Sequence, residues 1–112
     1  TGGRLPRGTA GAMKELQDRQ KRRATRTQRD SLDLALTDLA GFYRDVLAMQ
    51  LGSRVELANV DARDALERVA AASRPEGTLR RIEAIGACRE ALDRNVAPLL
   101  AVEAMAVALR AG

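Results

Sequence analysis

The chain has 112 residues, with 19 Lys and Arg against 15 Asp and Glu, and a formal net charge of +4. It contains no His, one Cys, no Trp, one Tyr and one Phe. The length suits a single domain with a modest core, and the missing imidazole removes His general bases, Ser-His and Cys-His nucleophiles and His metal ligands. A lone Cys88 excludes an internal disulfide and a thiolate zinc site, and a small core residue is its favoured reading. No apolar run approaches the roughly 20 residues that span a bilayer, and no basic-then-apolar leader opens the chain. A single Cys points to a reducing, cytoplasmic setting. The chain begins at Thr1 rather than Met, as a fragment or processed product would. Its richness in Arg and Ala is read first as genome composition.

Residues 1–11, TGGRLPRGTAG, are rich in Gly and read as a flexible lead-in. Gly3 and Gly8 have the spacing of a phosphate-binding loop. The Lys is missing, Pro6 interrupts, and no apolar strand precedes, so a linker is favoured. Charge is uneven: residues 1–30 hold nine basic and three acidic residues, whereas residues 31–112 carry a net −2.

Residues 12–51 contain no Pro and are strong helix formers, which predicts one long helix or two abutting ones. We divide the chain into a linker (1–11), a basic linker helix (12–29) and a helical domain (30–112). Leu32, Ala35, Leu36, Leu39, Phe42, Tyr43, Val46 and Leu47 form a stripe roughly 140° wide, with Asp33, Thr37, Asp38, Arg44 and Asp45 outside it. Gly52 suits a left-handed stop. A shorter helix is expected near 60–72, capped by Asn59 or Asp61, with Ala62, Ala65, Leu66, Val69 and Ala70 inward. Ser73 and Glu76 have capping-box spacing, and Pro75 fits a first turn. A third helix should run to about Arg94, burying Leu79, Ile82, Ile85 and Leu92. Asn95 can take a left-handed stop, and Pro98 can open a last helix to about Arg110. The fold class is all-α, a bundle of four to five helices with a long N-terminal helix.

Three features bear on function. Arg19, Arg22, Arg23, Arg26 and Arg29 fall within about 120° on a helical wheel, a face that could track phosphates. A solvated helix is the favoured reading, since Glu15–Arg19 and Asp18–Arg22 are i,i+4 pairs and no aromatic residue is interleaved to stack on bases. Arg89 falls in the middle of the predicted stripe of the third helix and, if buried, needs a carboxylate or several carbonyls; Asp45 and Glu103 are the candidate carboxylates. The last helix has Leu99, Leu100, Val102, Met105 and Val107 on several sides and only Glu103 charged between Val96 and Ala108. It is therefore either a wrapped core helix or part of an interface.

The segments RTQRDSLDLALTDLAGFYRDVLAMQLG and TLRRIEAIGACREALDRNVAPLLAVEAM resemble the C-terminal domain of the delta-prime member of bacterial DNA polymerase III. Tyr43-Arg44-Asp45, Ile82-x-Ala84-Ile85 with Arg89, and Asn95-x-x-Pro98-x-Leu100-x-x-Glu103 carry the likeness over about residues 25–110. The Arg/Ala-rich composition is similar to that of actinobacterial members. The resemblance implies a clamp-loader collar, whose helical domains pack in a ring while other parts of the assembly use ATP to load the sliding clamp onto primed DNA. It implies other clamp-loader subunits (delta, gamma or tau) as partners. It implies no catalytic role for this chain, no cofactor, metal or small-molecule ligand, no membrane, and a place in the bacterial cytoplasm. Leu99, Leu100, Val102, Glu103, Met105 and Val107 are the residues expected to touch neighbouring subunits, with Arg44 as a polar rim. The alternative is a basic nucleic-acid-binding module using Arg19 to Arg29.

Overall fold

Between Thr9 and Gln50 nothing in the sequence interrupts a backbone hydrogen-bond ladder, and the computed structural model forms one unbroken helix, α1, over Thr9–Gln50. The structure describes residues 8–53 and 60–112, so the glycine-spaced Gly3 and the expected cap Asn59 lie outside the described residues. Thr9 to Gly11 are helical, which corrects the expectation of a flexible lead-in there. A one-turn 3-10 segment (Val60–Ala62) leads into α2 (Arg63–Ala72), followed by α3 (Pro75–Asp93) and α4 (Pro98–Ala111). Among the described residues every regular element is helical.

Two helices end in the same local device. Gly52 is left-handed at φ +66°, its N–H donates to the Met49 carbonyl at 3.1 Å, and the Ser53 N–H donates to that of Ala48 at 2.9 Å. Asn95, at φ 64°, repeats the pattern: its N–H donates to Leu92 at 3.1 Å and that of Val96 donates to Ala91 at 3.0 Å. Both are Schellman stops, in which a left-handed residue lets two N–H groups turn back to carbonyls of the last helical turn. Helix starts follow the sequence less closely. Ala62 occupies the N-cap of α2 and Arg74 that of α3, and neither start has a side-chain cap. The Ser73 hydroxyl instead donates backward to the Val69 carbonyl at 2.6 Å, so the expected capping box is not formed.

The chain divides into two units, residues 1–32 and 33–112. In the first, the described side chains lie on one helix and are mostly exposed. In the second, the core is built from Leu36, Ala40, Val46, Leu66, Ile85, Cys88, Leu92, Ala101 and Met105. The inner face of α3 consists of Gly77, Thr78, Ile85, Cys88 and Leu92. That face is rotated by about 60° from the stripe drawn through the large apolar residues, at 100° per residue. Leu79 accordingly points outward at 48% exposure, against expectation. The reason is that the inner face takes small and polar residues where other backbone comes close. A Cβ on Gly77 would stand 3.0 Å from the Gly112 carbonyl oxygen. Near the end of α1 burial is no longer one-sided: Asp45, assigned to the outer side, is buried next to Val46. Ala35, assigned to the inner stripe, is exposed.

A polar clasp closes the ends of three helices on one another. The Gln50 amide donates to the Ala70 carbonyl at 3.2 Å and to the Ser73 hydroxyl at 3.1 Å. Its oxygen accepts from the fully buried Thr78 hydroxyl at 2.7 Å. Arg81 ties α3 to two further helices. Its Nε donates to the Leu109 carbonyl at 3.0 Å and its guanidinium carbon lies 5.8 Å from the centre of the Tyr43 ring. Arg80 donates to the Gly112 carbonyl at 2.9 Å. These guanidinium groups meet carbonyls at the C-terminal end of α4, where the helix dipole favours positive charge.

Truncating Ile85 or Leu66 to Ala should cost about 2–5 kcal/mol in urea unfolding, because each side chain is fully buried and leaves a cavity. Thr78→Val should cost about 1–3 kcal/mol by stranding the Gln50 oxygen, and adding Gln50→Leu should cost less than the separate losses combined. Burial raises the Cys88 thiol above its usual value near 9.0. The folded chain therefore keeps this proton where the unfolded chain loses it, so stability contributed by Cys88 falls as pH rises through that range. A pH series of unfolding midpoints should show that fall in the parent and not in Cys88→Ala.

Candidate functional site

Helix α4 opens at Pro98, whose fixed φ and missing N–H suit a first helical turn. Its inner side carries the buried Ala101 and Met105, with Val102, Ala108 and Leu109 half-buried beside them. At 100° per residue the opposite side aligns Leu100, Ala104, Val107 and Ala111, a 4-3-4 spacing that draws a straight seam along a helix. All four are exposed. Leu99, Glu103, Ala106 and Arg110 form the adjacent exposed row, so one charge of each sign borders the seam. Leu99, Leu100 and Val107 are 69%, 62% and 68% exposed, and Val96 and Leu79 are further exposed apolar side chains of this unit. Next to Ala111 a surface groove between α3 and α4 is lined by Ala84, Ala87, Ala108 and Ala111 and edged by Arg80 and Glu83. Small residues let a facing helix approach closely there.

The sequence candidates divide accordingly. Leu99, Leu100, Glu103 and Val107 lie outward and near one another on α4, and Arg44 is exposed on α1. Val102 is half-buried, and Met105 belongs to the core of its own chain, so it is not available to a partner. The seam members Ala104 and Ala111 were missed because Ala reads as neutral filler. Their spacing with Leu100 and Val107 was the available signal.

Arg89 meets neither Asp45 nor Glu103. Its Nε donates to Asp33 Oδ1 at 2.9 Å, and the two side chains are 40% and 53% exposed. The hydrogen bond and charge of Asp33 push the guanidinium pKa upward. With the α3 face rotated, Arg89 falls at its edge, where the guanidinium reaches solvent and the start of the second unit. An exposed pair of this kind orients helices and contributes little stability.

Arg19, Arg22, Arg23 and Arg26 are exposed and Arg29 is half-buried, with surface clefts along the helix between them. The Glu15–Arg19 and Asp18–Arg22 spacings do not close into ion pairs; Arg63–Glu67 does, at 3.9 Å. Among the described residues no three His, Cys, Asp or Glu side chains gather as a metal site, and no helix is long and apolar enough to cross a membrane.

Against known proteins, neither the curated sequences nor the solved structures contain a match. Residues 16–109 match the family described as DNA polymerase III, delta subunit, C terminal. That span takes in most of α1, all of α2 and α3, and α4 through the half-buried Leu109. The chain belongs to this family, the C-terminal domains of DNA polymerase III delta subunits, and is a domain of a clamp-loader protein.

Proposed function

We propose that this domain is a non-catalytic collar of the delta-prime type. It holds a clamp-loader subunit to its neighbours, among them delta and gamma or tau, in the bacterial cytoplasm. The assembled ring then supports ATP-dependent loading of the sliding clamp onto primed DNA. The carrying observation is the outward side of α4, where Leu100 and Val107 of the seam and Leu99 in the row beside it stay in water. The delta-prime and actinobacterial assignments draw on the order of Tyr43-Arg44-Asp45, Ile82-x-Ala84-Ile85 and Asn95-x-x-Pro98 and on the Arg/Ala-rich composition.

Magnitudes fit a contact that works only within a larger assembly. Fully burying a Leu or Val side chain contributes about 1.5–3 kcal/mol. Bringing two chains together costs an estimated 4–15 kcal/mol in lost freedom of motion. One seam of this size is marginal alone. In a closed ring each added contact raises the effective concentration of the next.

Co-elution with the complete set of clamp-loader subunits tests the proposal. Leu100→Asp combined with Val107→Asp should leave the melting curve of the isolated chain almost unchanged, since both positions are exposed, and should abolish co-elution. Met105→Ala should behave in the opposite way, lowering stability by about 2–5 kcal/mol. A double Asp variant that joins the complex as the parent does refutes the collar role. Reconstitutions lacking either delta or delta-prime show which position the chain fills.

A further inference from the structure

The collar role leaves the most charged part of the molecule unused. From Arg19 to Arg29 there are six cations and no acidic residue. The exposed Arg19, Arg22, Arg23 and Arg26 fall on one side of α1, and the nearby acids do not tie them down as ion pairs. From Arg19 to Arg26 the helix rises about 10.5 Å at 1.5 Å per residue, which spans roughly three phosphates of one strand at about 3.4 Å each.

Three properties select the partner. The groups are guanidinium forks, which bind phosphate oxygens in pairs and are less strongly hydrated than ammonium groups. The side of the helix opposite the row consists of Gln17, Gln20, Lys21, Ala24 and Gln28. It therefore has no apolar face to enter a lipid surface. Between Arg19 and Asp30 the sole apolar side chain is Ala24 and there is no aromatic ring. That denies a protein partner its usual buried anchor and denies unpaired bases a stacking platform. We infer that Arg19, Arg22, Arg23 and Arg26 form a strip that binds the phosphate backbone of duplex nucleic acid without reading its sequence.

The test is fluorescence anisotropy of a short labelled duplex with the 112-residue chain, titrated over a salt series. Three phosphate contacts give a slope of about −2.7 in log K against log salt, or roughly a 40-fold loss of affinity from about 50 to 200 mM. Arg22→Gln, Arg23→Gln and Arg26→Gln together should remove most of that slope while helicity is unchanged, because Gln is a good helix former. The same charge change at the exposed Arg68, Arg74 and Arg94 should leave most of the slope in place. Equal losses in the two triple variants, a salt-insensitive interaction, or tighter binding to phosphatidylserine vesicles or to polyglutamate than to duplex overturns the inference. Tighter binding to a single-stranded oligonucleotide also does so.

Discussion

The second unit depends on how closely the inner face of α3 can be approached. Ile85 and Leu92 supply apolar contact, and the first turn offers Gly77 and Thr78 in place of large side chains. Backbone at the end of α4 comes within van der Waals reach of Gly77, and Thr78 turns its hydroxyl to Gln50 at the end of α1. A bulky residue at either place would separate helices that now share hydrogen bonds. Buried polar groups of this kind are tolerated because they are partnered, and their directionality sets helix register more strictly than apolar packing does.

The same arrangement explains why α4 presents a defined surface. Arg80 and Arg81 bind the carbonyls of Gly112 and Leu109, so the C-terminal end of α4 is fixed from α3. The Schellman turn at Asn95 fixes the other end of the pair. Ala101 and Met105 then fill the core, and the Leu100–Ala104–Val107–Ala111 seam faces outward on a helix held at both ends. A preorganised seam loses less conformational freedom on binding than a loop would.

What could be read from the sequence was mostly what is decided locally. Gly52, Asn95 and Pro98 act through their own backbone preferences, and each sits where its φ or missing N–H predicts. The helical class followed from composition and the spacing of Pro and Gly. Other features depend on partners far away in the chain. Ser73 can cap α3 forward or close α2 backward, and only the arrival of the Gln50 amide favours the latter. Large apolar residues are a poor guide to the inner side of α3, because a close helix crossing selects small residues for burial. Arg89, central to the apolar stripe, therefore lies at the edge of the true inner face and pairs with Asp33, 56 residues earlier in the chain. Arg81 gave no signal, since nothing in its neighbours foretells a Tyr43 ring and a carbonyl on other helices.

With no His in the chain, there is no imidazole to titrate near neutral pH, and the raised thiol of Cys88 moves away from that range. Ionic strength is then the stronger lever, and it acts differently on the two proposed surfaces. Contacts along an apolar seam are insensitive to moderate salt and are strengthened by strongly hydrated anions such as sulfate. A guanidinium row on phosphates weakens steeply, because each bond formed releases a condensed counterion that added salt drives back. If α4 and α1 have the proposed roles, assembly through α4 should outlast nucleic-acid binding through α1 as salt rises. A single salt series on the assembled complex would separate the two, which neither pH nor temperature could do as cleanly.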